Sequence, residues 1–155
     1  MSEKPTGAGI VTVFNNLSSK YSDLPKDYLY LILIDNEGKF DFPKGGIDEG
    51  EFIFDCAVRE TSEECNLKKE DFKKFYTVNP EEAIKCGKGL YMFLGQVENI
   101  SSIKILKNPK IDIYEHSGFK FMTYNQIIES KMLYSYLLPA IKEAHIIVKQ
   151  EGFIS

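Results

Sequence analysis

Apolar positions along the chain fall into short β-branched or aromatic runs, with helical spacing in the middle and towards the end. After a loose lead over Met1–Thr6, Gly9–Phe14 reads as a first strand and Asn15–Lys26 as a polar loop. Tyr28–Asp35 is almost continuously apolar, the pattern of a strand buried on both faces. Asn36-Glu-Gly38 is a hairpin turn, and Lys39–Phe42 returns as a short strand. Further strands are expected at Phe75–Val78, Glu82–Lys85, Leu90–Val97 and Gly118–Met122, with a turn at Cys86–Gly89. Lys68–Lys74 reads as a lysine-rich connector, and Ile100–Ile113 as an irregular surface loop. Thr123 and Gln126 form a capping box for a short helix through Glu129. Tyr136–Gln150 is a longer helix that tolerates Pro139 only in its first turn. Strands interleaved with helices in this order predict an α/β fold, a mixed sheet sandwiched between helices.

The central helix is the most informative element. On a helical wheel from Ile53, the residues Ile53, Phe54, Ala57, Val58, Thr61 and Cys65 fall in one stripe between 0° and about 140°. Glu63, Glu60 and Glu64 cluster at about 280°, 340° and 20°, on the edge of that stripe, with Arg59 beside them at about 240°. Carboxylates at such i, i+3 and i+4 spacings point the same way and repel one another. A lone charge run of this kind is a solvated face. At the rim of a groove it suits a divalent cation, which turns the repulsion into attraction and takes oxygen ligands.

Composition narrows the class. At 155 residues the chain fits one domain, 1–155, with 43% apolar and 27% charged residues. A net charge of −4 gives no bulk field for nucleic acid, so any RNA contact has to be local. Arg59 is the one arginine among 19 basic residues, so the only rigid bidentate fork stands next to the glutamates. Cys56, Cys65 and Cys86 have no metal-ligand spacing. Cys56 and Cys65 lie roughly 13 Å apart along one helix, too far for a disulfide. With no signal-like start and no long apolar run, the expectation is a reduced, cytoplasmic protein without a membrane span.

The stretch Gly45–Leu67 carries more than the glutamates. Its spacing runs glycine, five residues, Glu51, seven residues, Arg59-Glu60, two residues, Glu63-Glu64, two residues, Leu67. Given the glycine, the six further identities coincide by chance about once in 10⁷ starts at average residue frequencies. The pattern resembles the Nudix box, and the chain is similar to the Nudix hydrolase family. It departs from the family at Thr61, where a bulky aliphatic is usual, and at Asn66, where a glycine is usual. Asn tolerates the left-handed conformation that ends a helix. The segment Glu115-His-Ser-Gly-Phe-Lys-Phe121 and the aromatic approach to Pro43-Lys-Gly-Gly46 are similar to those of diadenosine tetraphosphate hydrolases.

The resemblance implies a Nudix-type α/β/α sandwich and hydrolysis of a phosphoanhydride in nucleoside polyphosphates, dinucleoside polyphosphates first. It implies Mg²⁺, with Mn²⁺ as the alternative, held by Glu60, Glu63 and Glu64 with Gly45 and Glu115 as further ligands. Glu63 or Glu64 would serve as the catalytic carboxylate, with Arg59 holding Glu51 to orient the loop. Lys44, Lys88, His116 and Lys120 would reach the substrate, and Tyr91 would stack on a base. The alternatives are removal of a cap or pyrophosphate from RNA 5′ ends, which alone brings nucleic acid in as a partner, and a non-catalytic nucleotide-binding module. Oligomeric state is not legible.

Overall fold

The computed structural model describes residues 4–154, with side chains through Glu151. In chain order its elements are β1 (Gly7–Asn15), β2 (Tyr28–Asp35), β3 (Phe40–Asp41), β4 (Lys44–Gly46), α1 (Ile53–Cys65), β5 (Phe72–Phe75) and β6 (Ile84–Lys85). They continue with β7 (Leu90–Val97), β8 (His116–Met122), α2 (Tyr124–Ser130) and α3 (Leu138–Ile154). The expected α/β sandwich is present, as one mixed sheet of eight strands between helices.

β1 organises the sheet. One of its edges runs parallel to β7, from Gly7 opposite Leu90 to Phe14 opposite Val97. Its other edge meets β2 and β4 antiparallel, and β8 lies on the far side of β2. Side chains alternate across these central strands. Ala8, Ile10, Leu29, Leu31 and Phe93 pack on the α1 face, while Val11, Val13, Tyr30, Ile32, Met92 and Leu94 pack on the α3 face. Burial on both faces explains the continuous apolar runs of β1 and β2.

Several boundaries moved, each for a packing reason. The strand expected at Phe75–Val78 is β5, three residues earlier. Gly95 opposite it has no side chain, so the rings of Phe72 and Phe75 lie against that bare backbone. The tail of the expected lysine-rich connector is therefore strand. Met1–Glu3 of the expected loose lead lie outside the described residues, and Thr6 is tied down, donating its N–H to the Gly89 carbonyl at 2.9 Å and its hydroxyl to the Lys88 carbonyl at 2.6 Å. Helix α1 begins at Ile53 and ends on Asn66, whose φ of 66° is the left-handed cap expected of it. Its buried stripe includes Cys56, which the wheel left aside, because β4 covers that side of the helix. Ile53, Phe54 and Val58 are only half-buried. The capping box of Thr123 and Gln126 forms as expected, and Pro139 sits in the first turn of α3. Among the described residues no helix is long and apolar enough to cross a membrane.

Candidate active site

Arg59 is the hub of the site. Its Nε and Nη2 grip the two Glu51 oxygens at 2.8 and 2.9 Å, and Nη2 also donates to the Gly46 carbonyl at 2.8 Å. Nη1 reaches Glu60 Oε1 at 2.9 Å and Glu63 Oε2 at 3.2 Å. One guanidinium thus fastens the loop after β4 to the helix and is shared with two of the clustered glutamates. Glu51 caps the same loop, accepting from the Asp48 N–H at 3.0 Å. The side chain of Glu64 turns the other way, under β4, where the Lys44 N–H donates to its Oε1 at 3.1 Å. Gly45 stands where α1 and β4 touch, and a methyl there would collide with the Glu60 carboxyl. The Cys56 thiol closes the contact from below, donating to the Gly46 carbonyl at 3.4 Å, and burial pushes it up to about 12.

Glu60, Glu63 and Glu64 line a narrow crevice together with Glu115, His116, Leu106, Asn108 and Pro109. Its volume of about 20 Å³ has room for one ion or water. Burial pushes the Glu64 carboxyl up to about 9, and burial also raises Glu60 against the pull of Arg59. Burial disfavours the charged form of both groups, and a cation would offset that cost: Glu60, Glu63, Glu64 and Glu115 bring carboxylate oxygens to the crevice, a donor set that fits a hard divalent cation. Among the described residues no three of these side chains converge on one point as they stand. The reason is Arg59, which draws Glu60 and Glu63 towards itself.

On the other side of β4 a cleft of about 530 Å³ is lined by Lys44, Gly45, Gly46, Cys86, Lys88, Leu90 and Tyr136 among others. Lys44 is fixed at its edge, with Nζ 3.1 Å from Asp41 Oδ1 and 5.7 Å above the Tyr136 ring. Burial would lower the Lys44 ammonium, but the charge of Asp41 outweighs it and keeps the group protonated. Lys88 borders the same cleft from the β6–β7 turn in a left-handed conformation, φ 53°.

Three expected roles change. Tyr91 is 9% exposed and packs with Ala8, Ile10, Cys56, Ala57 and Phe93, so no ring face is open for a base. The aromatic at the cleft is instead Tyr136, 44% exposed. His116 lines the crevice, but it is buried and its Nε2 already has a partner in Asp41 Oδ2 at 3.2 Å, so that nitrogen is not open to a phosphate. Lys120 is exposed on β8 and lines neither crevice nor cleft. Glu115 does reach the crevice wall, where it accepts from Asn108 Nδ2 at 2.9 Å. Asp41, between Lys44 and His116, went unnoticed in the sequence. Its one trace there is a charge inside the apolar run Phe40-Asp-Phe42. Burial would raise its carboxyl, but the bonds from His116 and Lys44 hold it below the ordinary range. No spacing rule points to Tyr136, which reaches the cleft only through the fold.

The sequence profile of the NUDIX domain matches residues 7–142. The chain belongs to the Nudix family and is a pyrophosphohydrolase of that family, whose members generally use divalent metal ions. It is 28% identical over 158 residues to an RNA pyrophosphohydrolase of a Nitratiruptor species, covering 97% of this chain and 96% of that one. An RNA pyrophosphohydrolase of Helicobacter pylori is 28% identical over 127 residues, 78% of this chain and 81% of its own. In fold the chain is similar to the crystal structure of a C. elegans Ap4A hydrolase binary complex, with a TM-score of 0.62 at 21% identity, over 96% of this chain and 97% of the other.

Proposed function

We propose that this pyrophosphohydrolase acts with Mg²⁺ on dinucleoside polyphosphates such as diadenosine tetraphosphate. The reading is supported above all by Lys44, which lines the cleft while its backbone N–H donates to Glu64 of the carboxylate crevice at 3.1 Å. A polyphosphate passing from one to the other lies along Lys44, with a nucleoside against Cys86, Leu90 and Tyr136. The net charge of −4 supplies no wider basic surface for a polynucleotide.

Glu60, Glu63 and Glu64 would hold the cation, with the Gly45 carbonyl and Glu115 as further oxygens. Mn²⁺ satisfies the same donors. When bound, the cation neutralises polyphosphate charge and acidifies an attached water. To hold it, Glu60 and Glu63 would have to give up their Arg59 contacts, while the Arg59–Glu51 pair would keep the loop in register. Lys44, its ammonium fixed by Asp41, donates to a phosphate oxygen, and Lys88 reaches the next one along the cleft. Glu63, which meets Arg59 through one guanidinium N–H at 3.2 Å, would serve either as a ligand of the cation or as the base that takes a proton from the attacking water.

A second reading is pyrophosphate removal from RNA 5′ ends, favoured by the similarity to RNA pyrophosphohydrolases along nearly the whole chain. Incubation with Mg²⁺ and dinucleoside polyphosphates, 5′-triphosphorylated RNA, capped RNA and nucleoside triphosphates separates the two. Asymmetric cleavage of the dinucleotides, faster than any reaction on RNA, is the expected result. Preferential release of pyrophosphate from RNA gives the second reading, and turnover of none of them rejects both.

A further inference from the structure

The hydrolytic chemistry leaves a second cavity unused. It measures about 380 Å³, within the range of small-molecule sites, and is lined chiefly by Asp27, Tyr28, Tyr124, Asn125, His145 and Lys149. None of these residues borders the crevice or the cleft. The start of β2, the first turn of α2 and the second half of α3 meet here.

Two kinds of group converge on it. The first is planar: the Tyr124 and His145 rings stack in parallel, 4.2 Å apart at an interplanar angle of 1°, and Tyr28 forms another part of the wall. Both tyrosines are only half-buried, so part of each ring faces the cavity. The second is a pair of donors. The buried Tyr30 hydroxyl lies 2.9 Å from His145 Nδ1. Burial holds that phenol protonated, and burial with the neighbouring Lys149 keeps the imidazole neutral. The Tyr30 hydroxyl has no other hydrogen-bond partner among the described residues, so its buried proton goes to Nδ1 and the imidazole proton to Nε2, which is itself unbonded there. Lys149 follows four residues on along α3, so its ammonium and the Nε2–H lie on one helical face. The remaining polar groups are the Asn125 amide and the Asp27 carboxylate, the latter also accepting from the Tyr28 N–H at 2.7 Å.

We propose that this cavity is a second binding site, for a nucleoside monophosphate. The base packs on the tyrosine rings, the phosphate takes the donors of His145 and Lys149, and Asp27 accepts from a ribose hydroxyl or an exocyclic amine. An aliphatic amino acid, a small zwitterion that Lys149 and Asp27 could pair, leaves the flat walls unfilled. Nucleoside phosphates are released by phosphoanhydride hydrolysis of nucleotides, so the ligand belongs to the chemistry of this enzyme class. The proposal holds whichever polyphosphate is the substrate.

Amide NMR of the ¹⁵N-labelled chain, titrated with AMP in EDTA, tests it without turnover. Shifts saturating at Tyr28, Asn125, His145 and Lys149 are expected. Lys149→Ser, an exposed position, should weaken that binding roughly fivefold or more, as one charge-assisted contact is lost, with turnover unchanged. Shifts confined to Lys44, Lys88 and Tyr136, no shifts in millimolar AMP, or undiminished binding to Lys149→Ser overturn the proposal. Equal affinity for inorganic phosphate alone overturns the assignment to a nucleotide.

Discussion

Burying the Glu64 carboxyl under β4 links stability to pH. Its ordinary value is 4.5, and burial raises it to about 9 in the folded, metal-free chain. The folded state therefore binds the proton more tightly than the unfolded state, and its advantage is complete below 4.5 and lost as pH rises through about 9. In EDTA the melting temperature should fall across that window, Mg²⁺ should restore it at the alkaline end, and Glu64→Gln should flatten the slope. Calorimetry at several pH values measures all three. Under Mg²⁺ the same variant should keep its fold and lose at least about 100-fold in turnover, the scale of a lost metal or proton-transfer contact. Near-parental turnover would remove Glu64 from the site. Single residues were also where sequence reasoning fell short. Glutamate spacing on a helix is local and repeats with the helical turn, so Glu60, Glu63 and Glu64 were legible. Whether Tyr91 or Tyr136 meets the cleft depends on which strand face and which helix approach it, and no local pattern encodes that.

At the scale of elements, the contact between β4 and α1 sets the geometry. Five donor contacts from Arg59 hold Glu51, Gly46, Glu60 and Glu63. A lysine keeps the charge but cannot reproduce the fork. Arg59→Lys should lower unfolding free energy by about 2 kcal/mol and turnover by roughly tenfold or more, as the loop and the glutamates lose their shared anchor. Combined with Glu51→Gln, the loss should be clearly less than additive in a double-mutant cycle; additivity would show that the two do not act together. Gly45→Ala tests the other side of the contact. The added methyl meets the Glu60 carboxyl, so turnover should drop while circular dichroism stays unchanged. The helix, its left-handed cap at Asn66 and the hairpin at Gly38 were readable because each is closed by neighbours in sequence. β5 was not, since its position answers to Gly95 on another strand.

The whole molecule divides the work between its two faces. Tyr91 belongs to the packing under α1, so Tyr91→Ala should cost about 3 kcal/mol of stability and leave KM nearly unchanged. Tyr136→Ala should do the reverse, leaving unfolding free energy within about 1 kcal/mol and raising KM several-fold. Urea titration and steady-state kinetics on both variants decide it, and a KM effect at Tyr91 instead would return that ring to the substrate. From its amino-acid order alone this protein declared most of its strands, its acidic helix and the class of its chemistry, because hydrophobic period and glutamate spacing are properties of a few adjacent turns. Only the assembled sheet decided that Asp41 would hold Lys44 and His116, that Arg59 would take two of the glutamates, and that Tyr136 would face the cleft. Those outcomes depend on which distant segments the two buried faces bring together.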